Sequence, residues 1–138
     1  MELNDIKSIR ILPNDKKTFP TLNEFEYFIK VRMVNRGGYY YFPNLMMKCP
    51  NNTLVLFQYD GMIRAVGVLI DKFKSPIKDE RGFSYNGRYQ FDLNTLVYLK
   101  TPLDKEDMQR ICSLFKSFNQ CKQRLPLECL NKLLKELK

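Results

Sequence analysis

The spacing of apolar and polar residues changes several times along this chain, and each change predicts an element. IKSIRIL, Ile6 to Leu12, alternates in part and stops at Pro13, which predicts a short first strand. PNDKKTFP is a polar loop. TLNEFEYFIKVRMVN then places Leu22, Phe25, Ile29 and Met33 at helical spacing. Thr21 is positioned to cap this helix, with Glu24 three residues on to complete a capping box. Gly37 and Gly38 end it. The next stretch, YYYFPN from Tyr39 to Asn44, has four consecutive aromatics and fits no two-sided element. It predicts an extended loop or edge segment with some rings partly exposed.

The centre of the chain carries the strongest pattern. TLVLFQY is rich in β-branched and aromatic residues, and MIRAVGVLIDKF answers it across Asp60-Gly61. A type I′ turn needs positive φ at both central residues, and this dipeptide supplies it. An antiparallel hairpin follows, with Leu54, Leu56, Val66, Val68 and Ile70 in core positions. Gly67 inside the return strand marks a bulge or a close backbone approach. Strands bent in this way suit small barrels.

Lys74 to Gly87 is a long polar connection in which Asp79-Glu80-Arg81 reads as a solvated loop. RYQFDLNTLVYL gives one or two further strands, broken near Asp92-Leu93-Asn94. Asp104 caps a helix with an apolar stripe of Met108, Ile111, Cys112, Phe115 and Phe118. Glu106 and Asp107 favour its first turn. After the basic connection SFNQCKQRL, a last helix from about Leu127 carries Leu130, Leu134 and Leu137 on one side. The pattern adds up to a single α+β domain over 1–138, a curved and mainly antiparallel sheet with one N-terminal and two C-terminal helices.

Composition narrows the chemistry. The chain has 138 residues, 23 Lys and Arg against 15 Asp and Glu, and a formal charge of +8. A positive field of this kind suits nucleic acid or anionic surfaces. No apolar run approaches the ~20 residues of a membrane span, and charge interrupts any secretory core near the start. The expected setting is cytoplasmic, with no membrane partner. Cys49, Cys112, Cys121 and Cys129 have no C-x-x-C spacing, and with no histidine in the chain they form no zinc set. Four reduced thiols are expected.

Enzyme motifs are absent. Without histidine the usual general base and the Ser-His or Cys-His pairs are missing. There is no phosphate loop and no dinucleotide fingerprint. The carboxylates of LDKEDM read as helix caps. The expectation is a protein with no catalytic residues, no metal and no cofactor.

A binding signal is present instead. Aromatic residues make up 13% of the chain and cluster beside basic and amide residues. Tyrosine faces can stack on bases, Arg and Lys hold phosphates, and Asn and Gln read base edges. The candidate cations are Arg36, Lys48, Arg64, Arg81, Arg88, Lys122 and Arg124. The candidate rings are Tyr39, Tyr40, Tyr59, Tyr85 and Tyr89, with Asn44, Gln58 and Asn86 for base edges. The hairpin would form one wall of a cleft, closed over by Tyr39 to Phe42 and by Phe83 to Tyr89. Phe57 and Tyr59 share one strand face and Gln58 the other, so Tyr59 ranks above Gln58.

LVLFQYDGMIRAVGVLID resembles the central hairpin of the PUA-like superfamily, which includes EVE and ASCH domains. NGRYQFDLNTLVYLKTPLDKEDMQRICSLFKSFNQCKQRL is similar to PUA-like DNA-reading modules at the N-termini of HNH- and McrBC-type restriction endonucleases. The matches are Tyr89-Gln90-Phe91, the helix start at Pro102 to Met108, and the F-x-x-x-x-Q-x-L run from Phe118 to Leu125. The resemblance spans about Thr53 to Leu125. It implies a small bent antiparallel β-barrel that grips nucleic acid and often receives an extruded, modified base in an aromatic pocket. Such pockets are often rich in tryptophan. This chain has none, and its Tyr and Phe would serve.

Three readings stay open. The first is a non-catalytic nucleic-acid reader, with DNA favoured over RNA, as the specificity part of a restriction or defence system beside a nuclease or NTPase. The second is a protein-interaction or regulatory subunit with an incidental basic face. The third is a small metal-dependent nuclease.

Overall fold

Asp60 and Gly61 take φ values of 51° and 75°, which closes the central hairpin as its turn chemistry requires. The computed structural model describes residues 5–118 and 123–137. In chain order the strands and helices begin with β1 (Ser8–Asn14) and the helix α1. The α1 helix runs from Leu22–Tyr27 through a π-helical turn, Phe28–Arg32, to Met33–Asn35. Then come β2 (Tyr39–Phe42), β3 (Thr53–Tyr59) and β4 (Met62–Phe73). A short arm follows, β5 (Ile77–Lys78) paired with β6 (Ser84–Tyr85). The long β7 (Gly87–Leu103), α2 (Lys105–Ile111), β8 (Arg124–Leu125) and α3 (Leu130–Glu136) complete the chain.

Six strands form one sheet in the order β2-β7-β4-β3-β1-β8. All neighbours are antiparallel except β1 and β3, which are parallel. A parallel pair needs a crossover, and α1 supplies it. Among the described residues the edge strands β2 and β8 do not pair, so the sheet is open where a closed barrel was expected. The physical reason is the packing of the α1 segment. Phe19, Phe25, Phe28 and Ile29 fill the face that a closed barrel would turn in on itself.

Both faces of the sheet are covered. Val55, Phe57 and Tyr59 of β3 pack with α1, while Leu54 and Leu56 pack with Met108, Ile111 and Leu133 of α2 and α3. Alternation along one strand thus feeds two cores. Bulges let β4 and β7 bend. At Gly67 the β7 register slips, so that Val66 faces Val97 but Val68 faces Asp92. A Cβ on Gly67 would stand 3.1 Å from the Leu96 side chain, the close approach expected there. The slack in β7 is tied off by Thr95, whose hydroxyl accepts from the Val68 amide at 2.9 Å.

Several expected positions shift. Thr21 accepts from the Glu24 amide at 3.2 Å, but the reciprocal capping box sits instead at Asp104 and Asp107. Leu22 and Ile70 are exposed, because each faces away from the core its neighbours share. The α2 helix stops at Ile111, and Phe115 is buried from the turn beyond it. Leu133, not Leu134, is the fully buried residue of α3. Cys112 and Cys129 pair as a disulfide, with Cα atoms 5.5 Å apart, because α2 and α3 meet over one core. That corrects the expectation of reduced thiols for this pair; Cys49 is free, and Cys121 lies outside the described residues.

Gly38 joins α1 to the edge strand. Its φ is 96°, and a Cβ there would fall 2.2 Å from the Phe91 carbonyl oxygen. Its own carbonyl accepts from the Phe91 amide at 2.8 Å. Gly38→Ala is therefore expected to destabilise by about 2–3 kcal/mol, or roughly 6–12 °C in Tm. A thermal melt indistinguishable from the parent would contradict this close approach.

Candidate functional site

The polar connection after β4 folds around one carboxylate. Asp79 has a fully buried side chain. Its Oδ1 accepts the Arg81 and Phe83 amides at 2.9 and 3.0 Å. Its Oδ2 accepts the Arg81 guanidinium at 3.0 and 3.2 Å and the Tyr85 hydroxyl at 3.1 Å. Burial alone pushes this carboxyl up, but the hydrogen bonds from Arg81, Phe83 and Tyr85 outweigh it and hold the pKa below the usual value. Burial and the same carboxylate push the Tyr85 phenol up. The segment expected as a solvated loop is thus an arm built on a buried anion. Its tight turn at Gly82, φ 87°, brings both amides onto Oδ1.

A second ion pair ties the arm to α1. Arg36 donates to Glu80 through Nε at 2.6 Å and through its terminal nitrogen at 2.7 Å. The Arg36 side chain is only 7% exposed. Its guanidinium lies 4.2 Å above the Tyr41 ring centroid, a geometry worth about 0.5–2 kcal/mol. Tyr41 in turn packs 5.5 Å from Tyr85.

These contacts frame a cavity of about 220 Å³ between α1, the edge strand β2 and the arm. Aromatic lining comes from Phe28, Tyr40, Tyr41 and Tyr85, and cationic lining from Arg32, Arg36 and Arg81. Phe28, Arg32 and Arg36 follow one another at i, i+4 and i+8, so a single stripe of the helix forms one wall. Tyr40 donates its hydroxyl to Asn14 Oδ1 at 2.6 Å, and burial pushes this phenol far up. A ring-lined cavity with planar cations can sandwich a flat heterocycle.

Not every expected site residue arrives here. Arg36, Tyr40, Arg81 and Tyr85 do. Tyr59 and Tyr89 do not, being 1% and 0% exposed. The Tyr59 hydroxyl donates to the Phe19 carbonyl, and its ring stacks on Phe25. The Tyr89 hydroxyl accepts from the Met47 amide at 2.7 Å, and burial pushes its pKa up to about 12. Both belong to the α1 core, because alternation turns them to the covered face. The hairpin β3–β4 is therefore scaffold rather than cleft wall. Gln58 points the other way, as expected, and donates to the Phe118 carbonyl at 3.3 Å.

Arg64 is the extra residue at a bulge between β3 and β4, buried with its Nε on the Tyr59 carbonyl at 2.9 Å. Asn86 donates to the exposed Asn44 at its carbonyl, near the arm. Lys48 is exposed, with its carbonyl held by Arg10. Arg88 lies 4.3 Å over Tyr39 and 5.1 Å over Phe73, opposite Tyr41 in the β2–β7 register. Arg124 is on the distant β8 strand. Lys122 lies outside the described residues. The cavity residues not singled out from the sequence include Phe28, Arg32 and Tyr41. The signal for Arg32 was its helical spacing with Phe28 and Arg36.

No protein-family model matches the chain, and no curated protein matches it. Solved structures do. The ASCH protein of Zymomonas mobilis superposes with a TM-score of 0.58 at 9% identity, over 94% of this chain and 96% of that one. The YTH domain of Pho92, solved in complex with m6A, gives a TM-score of 0.62 at 9% identity, over 100% of this chain and 87% of that one. The YTH domain of Zygosaccharomyces rouxii MRB1, in complex with N6-methyladenosine RNA, gives 0.59 at 9%, over 100% and 91%. At these identities the likeness is one of fold. The chain shares the fold of these ASCH and YTH domains.

The tie between arm and helix has a pH signature. The Arg36 guanidinium hydrogen-bonds Glu80 and holds its pKa at about 2, against an ordinary value of 4.5. A lowered folded pKa gives stability that is complete above the unfolded value and lost as pH falls through the folded one. Exchange protection of the Arg36 Nε–H is expected to decline steadily between about pH 4.5 and pH 2. Glu80→Gln should leave that proton poorly protected even at neutral pH. Protection that stays flat across this window would contradict the tie.

Proposed function

We propose that this protein is a non-catalytic nucleic-acid-binding module whose cleft receives a single unstacked base. The observation that carries the reading is the juxtaposition of Tyr41, Tyr85 and Arg36 on a cavity of about 220 Å³. It stands in a fold for which two YTH relatives are solved with N6-methyladenosine. Extruding a base costs a few kcal/mol, and stacking recovers about 1–3 kcal/mol per base. The overall charge of +8 supplies attraction for the backbone. A modified base is the favoured ligand, because a methyl group adds apolar surface that an aromatic wall can cover.

Within this reading, DNA as target and a place beside a nuclease or NTPase in a restriction or defence system rest on the Thr53 to Leu125 resemblance. RNA is the ligand named with the MRB1 neighbour. Titrations over single-stranded RNA and DNA, with and without N6-methyladenine and at two salt concentrations, separate these targets. A protein-interaction role predicts no such binding.

The residues make separable predictions. Tyr41→Ala and Tyr85→Ala are expected to weaken oligonucleotide binding about 5- to 150-fold. Tyr85→Phe should keep the stacking face and most of the affinity. Tyr59→Ala and Tyr89→Ala should instead cost about 3–5 kcal/mol of stability, as core truncations do. Filter or anisotropy titration paired with thermal melts checks both. Affinity that ignores Tyr41 and Tyr85 would move the site elsewhere.

A further inference from the structure

The cations that line the base cavity differ in how they are occupied. Arg36 is paired with Glu80, and Arg81 with Asp79. Arg32 has no ion pair and no side-chain hydrogen bond among the described residues. It also lines a second cavity, of about 480 Å³. The two cavities share a wall of Thr18, Phe19, Arg32 and Arg81. The second one adds Lys17, Asn23 and Tyr27, with Glu24 as its one carboxylate. Tyr27 is 54% exposed and stacks on no other ring of the described residues.

We propose that this second cavity binds the nucleotide next to the one whose base is read, so that the ligand is a single strand and not a free nucleoside. This rests on the base-cleft reading above. Arg32 stands on the wall between the two cavities, where the phosphate linking two nucleotides must pass. An unpaired guanidinium there can take that phosphate through two parallel N–H donors. The neighbouring base then meets Tyr27, an exposed ring on the rim, and Asn23 lies one helical turn away from it for a base edge. Paired arginines hold the rings of the base cavity in place, and the unpaired one is left for the backbone.

The test compares probes of increasing length on the intact chain. They are adenosine and N6-methyladenosine, their 5′- and 3′-monophosphates, and ribo- and deoxyribo-trinucleotides with either base in the centre. The expected result is a gain of at least about tenfold from nucleoside to trinucleotide. Arg32→Gln should erase the part of that gain contributed by phosphate and lower the salt slope by roughly one unit. Tyr27→Ala should weaken trinucleotides about 5- to 150-fold and leave nucleoside binding unchanged. Among the described residues neither side chain has an ion pair, a side-chain hydrogen bond or a stacked ring, so both variants should melt with the parent. If nucleosides bind through Tyr41 but trinucleotides bind no tighter, the second subsite is wrong and the base cleft stands. The same holds if neither variant weakens trinucleotide binding. If no probe binds, the base-cleft reading falls, and this inference with it.

Discussion

The central strand β3 buries nearly every side chain it carries, on both of its faces. That constraint fixes most of the rest. A sheet with two apolar faces must be covered twice, and the chain does so with α1 on one side and α2 with α3 on the other. The crossover that places α1 also sets β1 parallel to β3. Cover runs out at the β2 edge, which has no strand beyond it among the described residues. There the arm of β5 and β6 comes up against α1, and the gap between them is the cleft. The site thus exists where the two-sided core ends.

Charge within the cleft follows a similar logic. The overall balance is strongly basic, yet its two arginines nearest the arm face carboxylates. These pairs hold rings and hairpin in position, and their charges are largely neutralised. The net positive field comes from residues elsewhere, including Arg88 over Tyr39 and the exposed Arg124. A polyanion would therefore be attracted by the whole surface and oriented by the few cations that have no acid beside them.

Local chemistry was legible in the sequence, and convergence between distant segments was not. Asp60-Gly61 announced its turn, Asp104 its cap and Gly67 its bulge, because each needs only its neighbours. The sequence pattern placed Leu54 and Leu56 in the core, while burial of Val55 and Phe57 on the other face depends on α1. Tyr59 and Tyr89 looked like equals of Tyr85, since a phenol in a strand can face a core or a cavity equally well. What separates them is cover from α1, a helix distant from both in sequence. Asp79 looked solvated because its partners Arg81, Phe83 and Tyr85 meet it only after the turn at Gly82. The Cys112–Cys129 pair depends on α2 and α3 meeting, which no spacing rule reveals.

Tyrosine in place of tryptophan has a mechanical consequence for the cleft. A phenol carries a hydroxyl at the end of its ring, and here that hydroxyl is anchored. Tyr85 is bonded to Asp79 and Tyr40 to Asn14. Tyr41 is held from its face by Arg36, which Glu80 locks in turn. The ring planes are therefore set before a ligand arrives. Side chains that must be immobilised on binding cost about 0.5–1.5 kcal/mol each, and a pre-set wall avoids that cost. The same anchoring commits the Tyr85 and Tyr40 hydroxyls, so these two rings offer a ligand their faces and not their oxygens. In the base-binding role proposed above, selectivity between bases would then come from shape and stacking against the walls, with hydrogen-bond readout left to the amides and backbone around the rim.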